Sequence, residues 1–446
     1  MNKGSLARLA KILINLKIIG HLMEIILMQV YLLTLMLKRR NVIPSNVVNL
    51  IKRSVADAGE IASVPSNIII INRNFLVDEA GGVNYLCAIW AGGFAARGHR
   101  VTILCEGNPR KKLRYKPHKN IEIMQLRPKI PFHPFTSLPA FYGSWNLAVQ
   151  KLILEYSKNY NCNFNILSTI AGLEGYMKDV SPTVNCICYL VTDHKIHKSY
   201  QESKTSNERR LTKLVDVERK LLNSNNVQIA ADSNAIVRDL ALELSIPDLT
   251  ERTLLVPIGW PRNNIESQPE ITFESFFLYI GAISFRKGIK TLLESWKLIF
   301  DQPDMRNTHL LVCGIASDDT ESLTFLREKS TLFRVRYLPR ITEEEKLFLI
   351  RRAMAIIVPS NYESFGIVAL EGLQEGKIVI GANCGGLEEL IANPEMMFSP
   401  GDAQSLSQLI ISVQNRKLVT DPLMAQAQAH KFELSKMLKM LEQLFI

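Results

Sequence analysis

Three glutamates fall within one short stretch, PSNYESFGIVALEGLQEGKIVIGANCGGLEELI, at residues 359–391. Glu363 follows the Pro359-Ser360 end of an apolar run, Glu371 lies inside a helical pattern, and Glu389 comes after Gly385-Gly386. A helix is expected to begin near Phe365-Gly366, which puts Glu363 just ahead of a helix N-terminus. Such a terminus presents backbone N–H groups without intrahelical partners, suited to an anion or to sugar oxygens. A carboxylate is a strong acceptor for hydroxyl donors. The combination suits a ligand carrying both phosphate and hydroxyls, such as a nucleotide-sugar. A plainer reading stands beside it: Glu363 complements the helix dipole, and Glu371 belongs to a solvated face.

The elements that must position these residues can be read on either side. SNIIIINRNF, from Ser66, is a strand-type run; Gly81-Gly82 then opens a helical pattern ending near Gly98, and HRVTILCE is the next strand. This β-loop-α-β order starts a parallel sheet. FNILSTI, NCICYLVTD and NVQIAADS continue it. The segment PIGWPRNNIESQPEITFES, rich in Pro, Asn, Ser and Glu, reads as a linker. The pattern restarts with FFLYIGAI, GIKTLLESWKLIF and HLLVCGI, and Thr342 ahead of Glu343–Glu345 is a helix-start signal. MAIIVPS and KIVIGAN complete the strands. At 446 residues the chain is too long for one core. We therefore expect two facing, doubly wound α/β domains, at 66–258 and 273–425. A linker at 259–272 joins them, and a helix at 426–446 crosses back to the first domain. In such folds ligands bind at the carboxyl ends of the strands, which places the site in the cleft between the domains.

Residues 1–60 read as an apolar helical appendage. Ile18 to Leu37 is long enough to span a bilayer, with Lys11 and Lys17 before it and Lys38-Arg39-Arg40 after it. His21, Glu24 and Gln29 interrupt the run, so a helix lying in the membrane surface fits better than a spanning one. The competing reading is a helix packed on the protein or on a second copy. On the membrane reading, removal of residues 1–60 leaves a folded, donor-binding remainder.

The net charge of +10 points to an anionic partner. Nucleic acid is set aside because no basic motif interleaved with aromatics is present; a phosphorylated substrate and an anionic membrane surface remain. The seven cysteines include no CxxC pair and no His-rich cluster, which points to reduced, buried thiols in the cytosol and away from structural zinc. No Asp-x-Asp stands at a strand end, and Asp318-Asp319 reads as a solvated loop, so no metal site is expected.

The stretch resembles the signature of retaining glycosyltransferases with the GT-B fold, in glycosyltransferase group 1 (family 4): PS-x-x-E-x-F-G, a further Glu, a strand, then GG-x-x-E. Pro359, Ser360, Glu363, Phe365, Gly366, Glu371, Gly385, Gly386 and Glu389 carry it. YIGAISFRKGIKTLLES resembles a further element of that group, with Gly281, Lys287 and Gly288 in register. GGVNYLCAIWAGGFAARGHRVTIL resembles the N-terminal glycine loop and first helix, and FSPGDAQSLSQLI the segment after the second glycine pair.

The resemblance implies two Rossmann-like domains and transfer of a sugar, with retention, from a nucleotide-diphosphate sugar to a hydroxyl acceptor such as a lipid-linked or cell-surface glycan. That work would take place at the cytoplasmic face of a membrane, with the donor as substrate and no required metal or cofactor. It implies that Glu363 contacts hydroxyls of the donor sugar and that Glu371 holds the ribose. Lys287 would hold the diphosphate, whose leaving oxygen gains negative charge in the transition state. Backbone N–H groups at Phe365, Gly366 and Ile367 would meet the sugar or diphosphate, with Gly281 lining the same place. Gly81 and Gly82 would approach the phosphates from the other domain. His194, in Thr192-Asp193-His194-Lys195, matches the histidine near the reacting carbon; in another register Asp193 is the functional group. Glu389 is expected to order the Gly385-Gly386 loop, without a chemical role.

The chain also departs from the pattern. Ala282 stands where many relatives carry Arg, which makes Arg286 the replacement cation, and the usual Pro-Asn-Gly between domains reads Pro257-Ile258-Gly259. These departures keep two alternatives open: a catalytically silent GT-B subunit that binds glycan or supports an assembly, and a GT-B nucleotide-sugar epimerase.

Overall fold

The computed structural model describes residues 43–73, 75–76, 82–107, 117–127, 138–160, 163–169, 184–191, 215–216, 218–262, 275–315, 320–330 and 333–445. The apolar run 18–37, Gly81, His194, Asp318-Asp319 and most of the linker lie outside these residues. Among the described residues no helix is long and apolar enough to cross a membrane.

Two parallel sheets organise the chain. The first holds β1 (Asn67–Ile71), β2 (Arg100–Glu106), β3 (Ile121–Leu126), β4 (Phe164–Thr169), β5 (Val184–Leu190), β6 (Val227–Ala231) and β7 (Thr253–Leu255). Their spatial order is β3-β2-β1-β4-β5-β6-β7. The second holds β8 (Ser275–Ile280), β9 (Thr308–Cys313), β10 (Val335–Leu338), β11 (Ala355–Val358), β12 (Ile378–Ala382) and β13 (Met397–Phe398), in the order β10-β9-β8-β11-β12-β13. In both, the order reverses beside the first strand, the mark of a doubly wound sheet. The strands are near-continuous apolar runs because helices cover both faces: Ile68 to Ile71 and Ala355 to Val358 are all buried.

In the first domain, α1 (Ser45–Ala56) precedes β1, and α2 (Gly82–Ala96) follows it. Leu86 to Ala95 of α2 are buried without a break, so this helix is covered on every side. Gly92 and Gly93 make that possible. A Cβ on Gly92 would stand 2.5 Å from the Ile51 carbonyl oxygen of α1, and one on Gly93 would stand 2.5 Å from Leu438 Cδ1. Val47, Leu50, Ile51 and Ser54 of α1 are buried in return.

The expected boundary at residue 60 is therefore corrected: residues 45–56 are a structural layer of the first domain. Cutting the chain at 60 would expose one face of α2, so a folded remainder is not expected from that truncation.

Next in this domain come α3 (Leu138–Tyr160), α4 (Asn234–Leu244) and α5 (Leu249–Arg252). The second domain carries α6 (Ile289–Lys297), α7 (Thr320–Ser330), α8 (Glu343–Arg352), α9 (Ile367–Gln374), α10 (Leu387–Leu390), α11 (Ala403–Gln414) and α12 (Pro422–Ala429).

The last helix, α13 (Leu434–Glu442), lies on α2 through Leu438. Arg97 grips Glu442 with Nε on Oε1 and Nη2 on Oε2, each at 2.6 Å, and His99 Nε2 is 2.8 Å from Oε1. Burial alone would raise the Glu442 pKa, but the hydrogen bonds from His99 and Arg97 and their charges bring it down to about 2.

The outgoing and returning crossings run side by side. Trp260 N–H donates to the Phe432 carbonyl at 3.2 Å, and a Cβ on Gly259 would stand 2.6 Å from the Glu433 carbonyl oxygen. Arg53 of α1 donates to the carbonyls of Pro261 at 2.7 Å and Arg262 at 3.1 Å, tying the first domain to the crossing.

Candidate active site

Glu363 follows β11 at the carboxyl end of the second sheet, where doubly wound folds hold ligands. Its Oε2 accepts from Lys287 Nζ at 2.6 Å and from Ser360 Oγ at 3.1 Å. Burial opposes its charge, yet Lys287 by charge and hydrogen bond, with Arg286 and Ser360, holds the carboxyl below its usual range. The result is a partly buried anion with two cations beside it, at the lip of α9.

Two glycines allow the chain to bring these groups together. Gly288, just after Lys287, has φ +75° and caps α6; a Cβ there would stand 1.7 Å from the Pro359 carbonyl oxygen. Gly385 has φ +56°, and a Cβ there would stand 1.9 Å from the Glu363 carbonyl oxygen. Backbone thus packs directly on backbone on either side of Pro359–Glu363. We expect Gly385→Ala to lower turnover and to lower the melting temperature by a few degrees, while nucleotide binding stays near wild type. The left-handed conformation costs an L-residue only about 1–2 kcal/mol, but the Glu363 carbonyl must move. Unchanged turnover would show that the loop's position is not critical.

Gly366, at φ +101°, caps α9, and Ile367 is its first residue. Phe365 points into the core, with its ring 5.4 Å from that of Phe432. Gly281 closes β8, with its N–H on the Cys313 carbonyl at 3.0 Å. Across the cleft, Gly82 opens α2, and a Cβ on it would lie 4.0 Å from Ile367 Cδ1. The structure therefore gathers Gly82, Gly281, Arg286, Lys287, Glu363, Gly366 and Ile367 around the facing ends of the sheets. Ala282, where many relatives carry Arg, is exposed.

Glu371 is also here, but not on a solvated face. It is 2% exposed, and its Oε1 accepts from Lys346 Nζ at 2.7 Å and from Trp260 Nε1 at 3.1 Å. Lys346 also reaches Glu343 Oε2 at 3.0 Å, and Arg53 Nη1 lies 3.6 Å from the same oxygen. Burial would lower the Lys346 pKa, but Glu371 and Glu343 raise it above the ordinary lysine range. A carboxylate holding ribose hydroxyls would have its second oxygen, Oε2, to offer, since Lys346 and Trp260 use the first.

Lys346 and Trp260 escaped the sequence reading. Lys346 sits in α8, whose first turn carries the Thr342–Glu345 capping box, and Trp260 directly follows the interdomain Pro257-Ile258-Gly259. Nothing in either local pattern names Glu371 as partner.

Glu389 departs from its expected place. Its carboxylate does not serve the Gly385-Gly386 loop; it crosses to the first domain, where Oε1 accepts from Asn234 N–H at 2.7 Å. The loop is held instead by its own backbone, with Gly386 N–H on the Glu363 carbonyl at 2.9 Å.

Comparison with known proteins places this geometry. Residues 262–431 match the family model described as "Glycosyl transferases group 1". The glycogen synthase of Mycobacterium tuberculosis is 29% identical over 210 residues, which is 44% of this chain and 46% of that one. The O-antigen chain mannosyltransferase B of Escherichia coli is 29% identical over 183 residues, 39% of this chain and 48% of that one. The chain thus spans about half the length of the curated relatives it matches.

Among solved structures, the sucrose-phosphate synthase of Thermosynechococcus elongatus superposes with TM-score 0.64 at 19% identity, covering 85% of this chain and 98% of that one. Anabaena HepE, in complex with UDP and glucose, gives TM-score 0.63 at 18% identity over 84% of this chain and 98% of that one. At such identities the likeness is one of fold, and the fold is GT-B. Residues 262–431 thus resemble the group 1 glycosyl transferases, and the chain has the GT-B architecture of two doubly wound domains.

Proposed function

We propose that this protein is a retaining glycosyltransferase of family 4 type. It moves a sugar from a nucleotide-diphosphate sugar to a hydroxyl of a glycan, with a lipid-linked or cell-surface glycan as the acceptor class. The observation that carries this reading is the partly buried Lys287–Glu363 pair, 2.6 Å apart beside the start of α9 in the region matched by the group 1 model.

Glu363 is an acceptor for hydroxyls of the donor sugar. Lys287, with Arg286, faces the diphosphate, whose leaving oxygen gains charge as the glycosidic bond breaks. The first N–H groups of α9 add the positive end of a helix dipole at the same place. Glu371 takes the ribose through its second oxygen. Gly82, with Gly81 before it, would admit the phosphates from the first domain, and the motif resemblance assigns His194, outside the described residues, to the reacting carbon. We assign the neutralisation of the diphosphate to these cations and dipoles, without a required metal. The leaving diphosphate takes the acceptor's proton as the new bond forms on the face from which the old one departs. The cationic, apolar N-terminal segment would hold the enzyme at the cytoplasmic face of a membrane.

A donor panel tests the reading. UDP-glucose, UDP-galactose, UDP-N-acetylglucosamine and GDP-mannose are screened by thermal shift, since a ligand of the folded state raises the melting temperature. A stabilising donor is then followed for release of nucleoside diphosphate. Glu363→Gln is expected to keep the nucleotide shift and lose turnover, and the product's anomeric proton should report the donor's configuration. Binding without any release would favour the silent subunit; a change in the sugar with no transfer would favour the epimerase.

A further inference from the structure

The junction between β6 and α4 in the first domain meets the Glu363 loop of the second. Ser233 Oγ donates to the Ser364 carbonyl at 2.8 Å. Beside it, Glu389 Oε1 accepts from the N–H groups of Asn234 at 2.7 Å and Ala235 at 3.4 Å, while Oε2 accepts from Asn234 Nδ2 at 3.3 Å. A carboxylate of one domain thus covers the positive N-terminus of a helix in the other. Helix α4 has its own cap for the next turn, Ser233 Oγ accepting from Ile236 N–H at 3.3 Å, so Glu389 is not needed to form it.

The Glu363–Ser364 backbone is therefore held from two sides. On one side stand the bare backbones of Gly385 and Gly386; a Cβ on Gly386 would lie 2.2 Å from the Ser364 carbonyl oxygen. On the other stands Ser233. Asp232 adds an opposing term at the same seam. It is 1% exposed, its Oδ1 lies 3.2 Å from Ser233 Oγ, whose single proton is shared with the nearer Ser364 carbonyl, and its Oδ2 is buried without a hydrogen-bond partner. Burial, and after it the charges of Glu363 and Glu389, push its carboxyl well above the usual range. A buried, half-satisfied acid favours separation of the surfaces, where water would reach it. The seam therefore balances attractive ties against a group that gains from opening.

We propose that Glu389 is a positioning residue: by clasping α4 of the first domain, it closes the seam and presses the loop carrying Glu363 into its working place. The inference rests on the reading of Glu363 as the donor-sugar acceptor. It assigns Glu389 no contact with substrate.

The test uses the full chain with Glu389→Ala and Glu389→Gln. In the donor-free protein, small-angle scattering is expected to give a larger radius of gyration for Glu389→Ala than for wild type, with little change in melting temperature because Ser233 still caps α4. With the donor that wild type turns over, Glu389→Ala should lower kcat at least about tenfold, as small misplacements do, while the UDP dissociation constant stays within about twofold of wild type. Glu389→Gln should lie between, because its amide oxygen still accepts from Asn234 N–H but carries no charge for the helix dipole.

Identical scattering with unchanged kcat overturns the clasp. So does a joint fall in melting temperature, UDP affinity and kcat, which would mark Glu389 as a fold residue only. If wild type turns over no donor of the panel, the proposed function fails; the scattering comparison still decides whether Glu389 holds the domains together.

Discussion

Lys287→Ala is expected to lower turnover on an identified donor by about 10²–10³-fold, the usual loss when one preorganised charge-stabilising group is removed. Two effects combine. The leaving diphosphate loses a cation in a partly buried site, where a charge interaction is stronger than in bulk solvent. Glu363 also loses its main partner, the ammonium 2.6 Å away. In the wild type that ammonium, with Arg286 and Ser360, holds the Glu363 carboxyl below its usual range against the effect of burial. Without it the pKa rises. The ionised form, which accepts sugar hydroxyls, is then lost at higher pH as the solution is acidified.

Residual activity of the variant should therefore fall off on the acid side at a higher pH than wild-type activity does. Lys287→Arg should recover part of the rate, since it restores the charge but not the reach. Steady-state rates across pH decide the matter. Wild-type turnover in Lys287→Ala would remove the pair from the mechanism, whatever its geometry.

The strands were legible because parallel strands covered on both faces are continuous Val/Ile/Leu runs, as at 68–71 and 355–358. The Lys287–Glu363 half of the site was legible through motif resemblance, although 76 positions separate the two residues. Residues 45–56 follow an apolar segment, and that neighbourhood draws them into the N-terminal appendage. Yet Val47, Leu50, Ile51 and Ser54 fall at i, i+3, i+4 and i+7, the stripe of a helix with one buried face. That stripe was available in the sequence, and weighing it would have moved the domain boundary.

Glu389 is a different case. LEEL offers two adjacent acids, and only the tertiary arrangement decides which of them reaches α4. Gly92 and Gly93 likewise read as small residues in an apolar helix, but the helices that approach them lie far away along the chain. Periodicity tells which face of a helix is covered; it does not name what covers it.

Glu371 shows the same limit and leads to the second large effect. Lys346→Met is expected to destabilise the protein by about 3–5 kcal/mol, the range for breaking a buried ion pair from one side. The variant leaves a carboxylate that is 2% exposed with only the Trp260 indole N–H, 3.1 Å away, as a neutral partner. Glu371→Gln should cost less. The amide keeps an acceptor for Trp260, and Lys346 keeps Glu343 at 3.0 Å, so no charge is left alone. The asymmetry separates an ion pair from mere packing, since both changes leave similar volume.

Lys346→Met combined with Glu371→Leu should recover much of the loss, because the buried charge leaves with its partner. With Glu371→Leu alone measured as the remaining corner of the cycle, the excess of the Lys346→Met and Glu371→Leu costs over the double is their coupling. At 2–4 °C per kcal/mol for a domain of this size, the single change should lower the melting temperature by roughly 10 °C. The same melts with the nucleoside diphosphate of whichever donor the panel identifies read the ribose role: if Oε2 of Glu371 takes ribose hydroxyls, Glu371→Gln should weaken the rise that nucleotide induces. A melting temperature for Lys346→Met equal to wild type would mean that the pair is not formed in solution. Glu371 would then be free to turn toward the cleft with both oxygens, and the ribose role would no longer depend on Lys346.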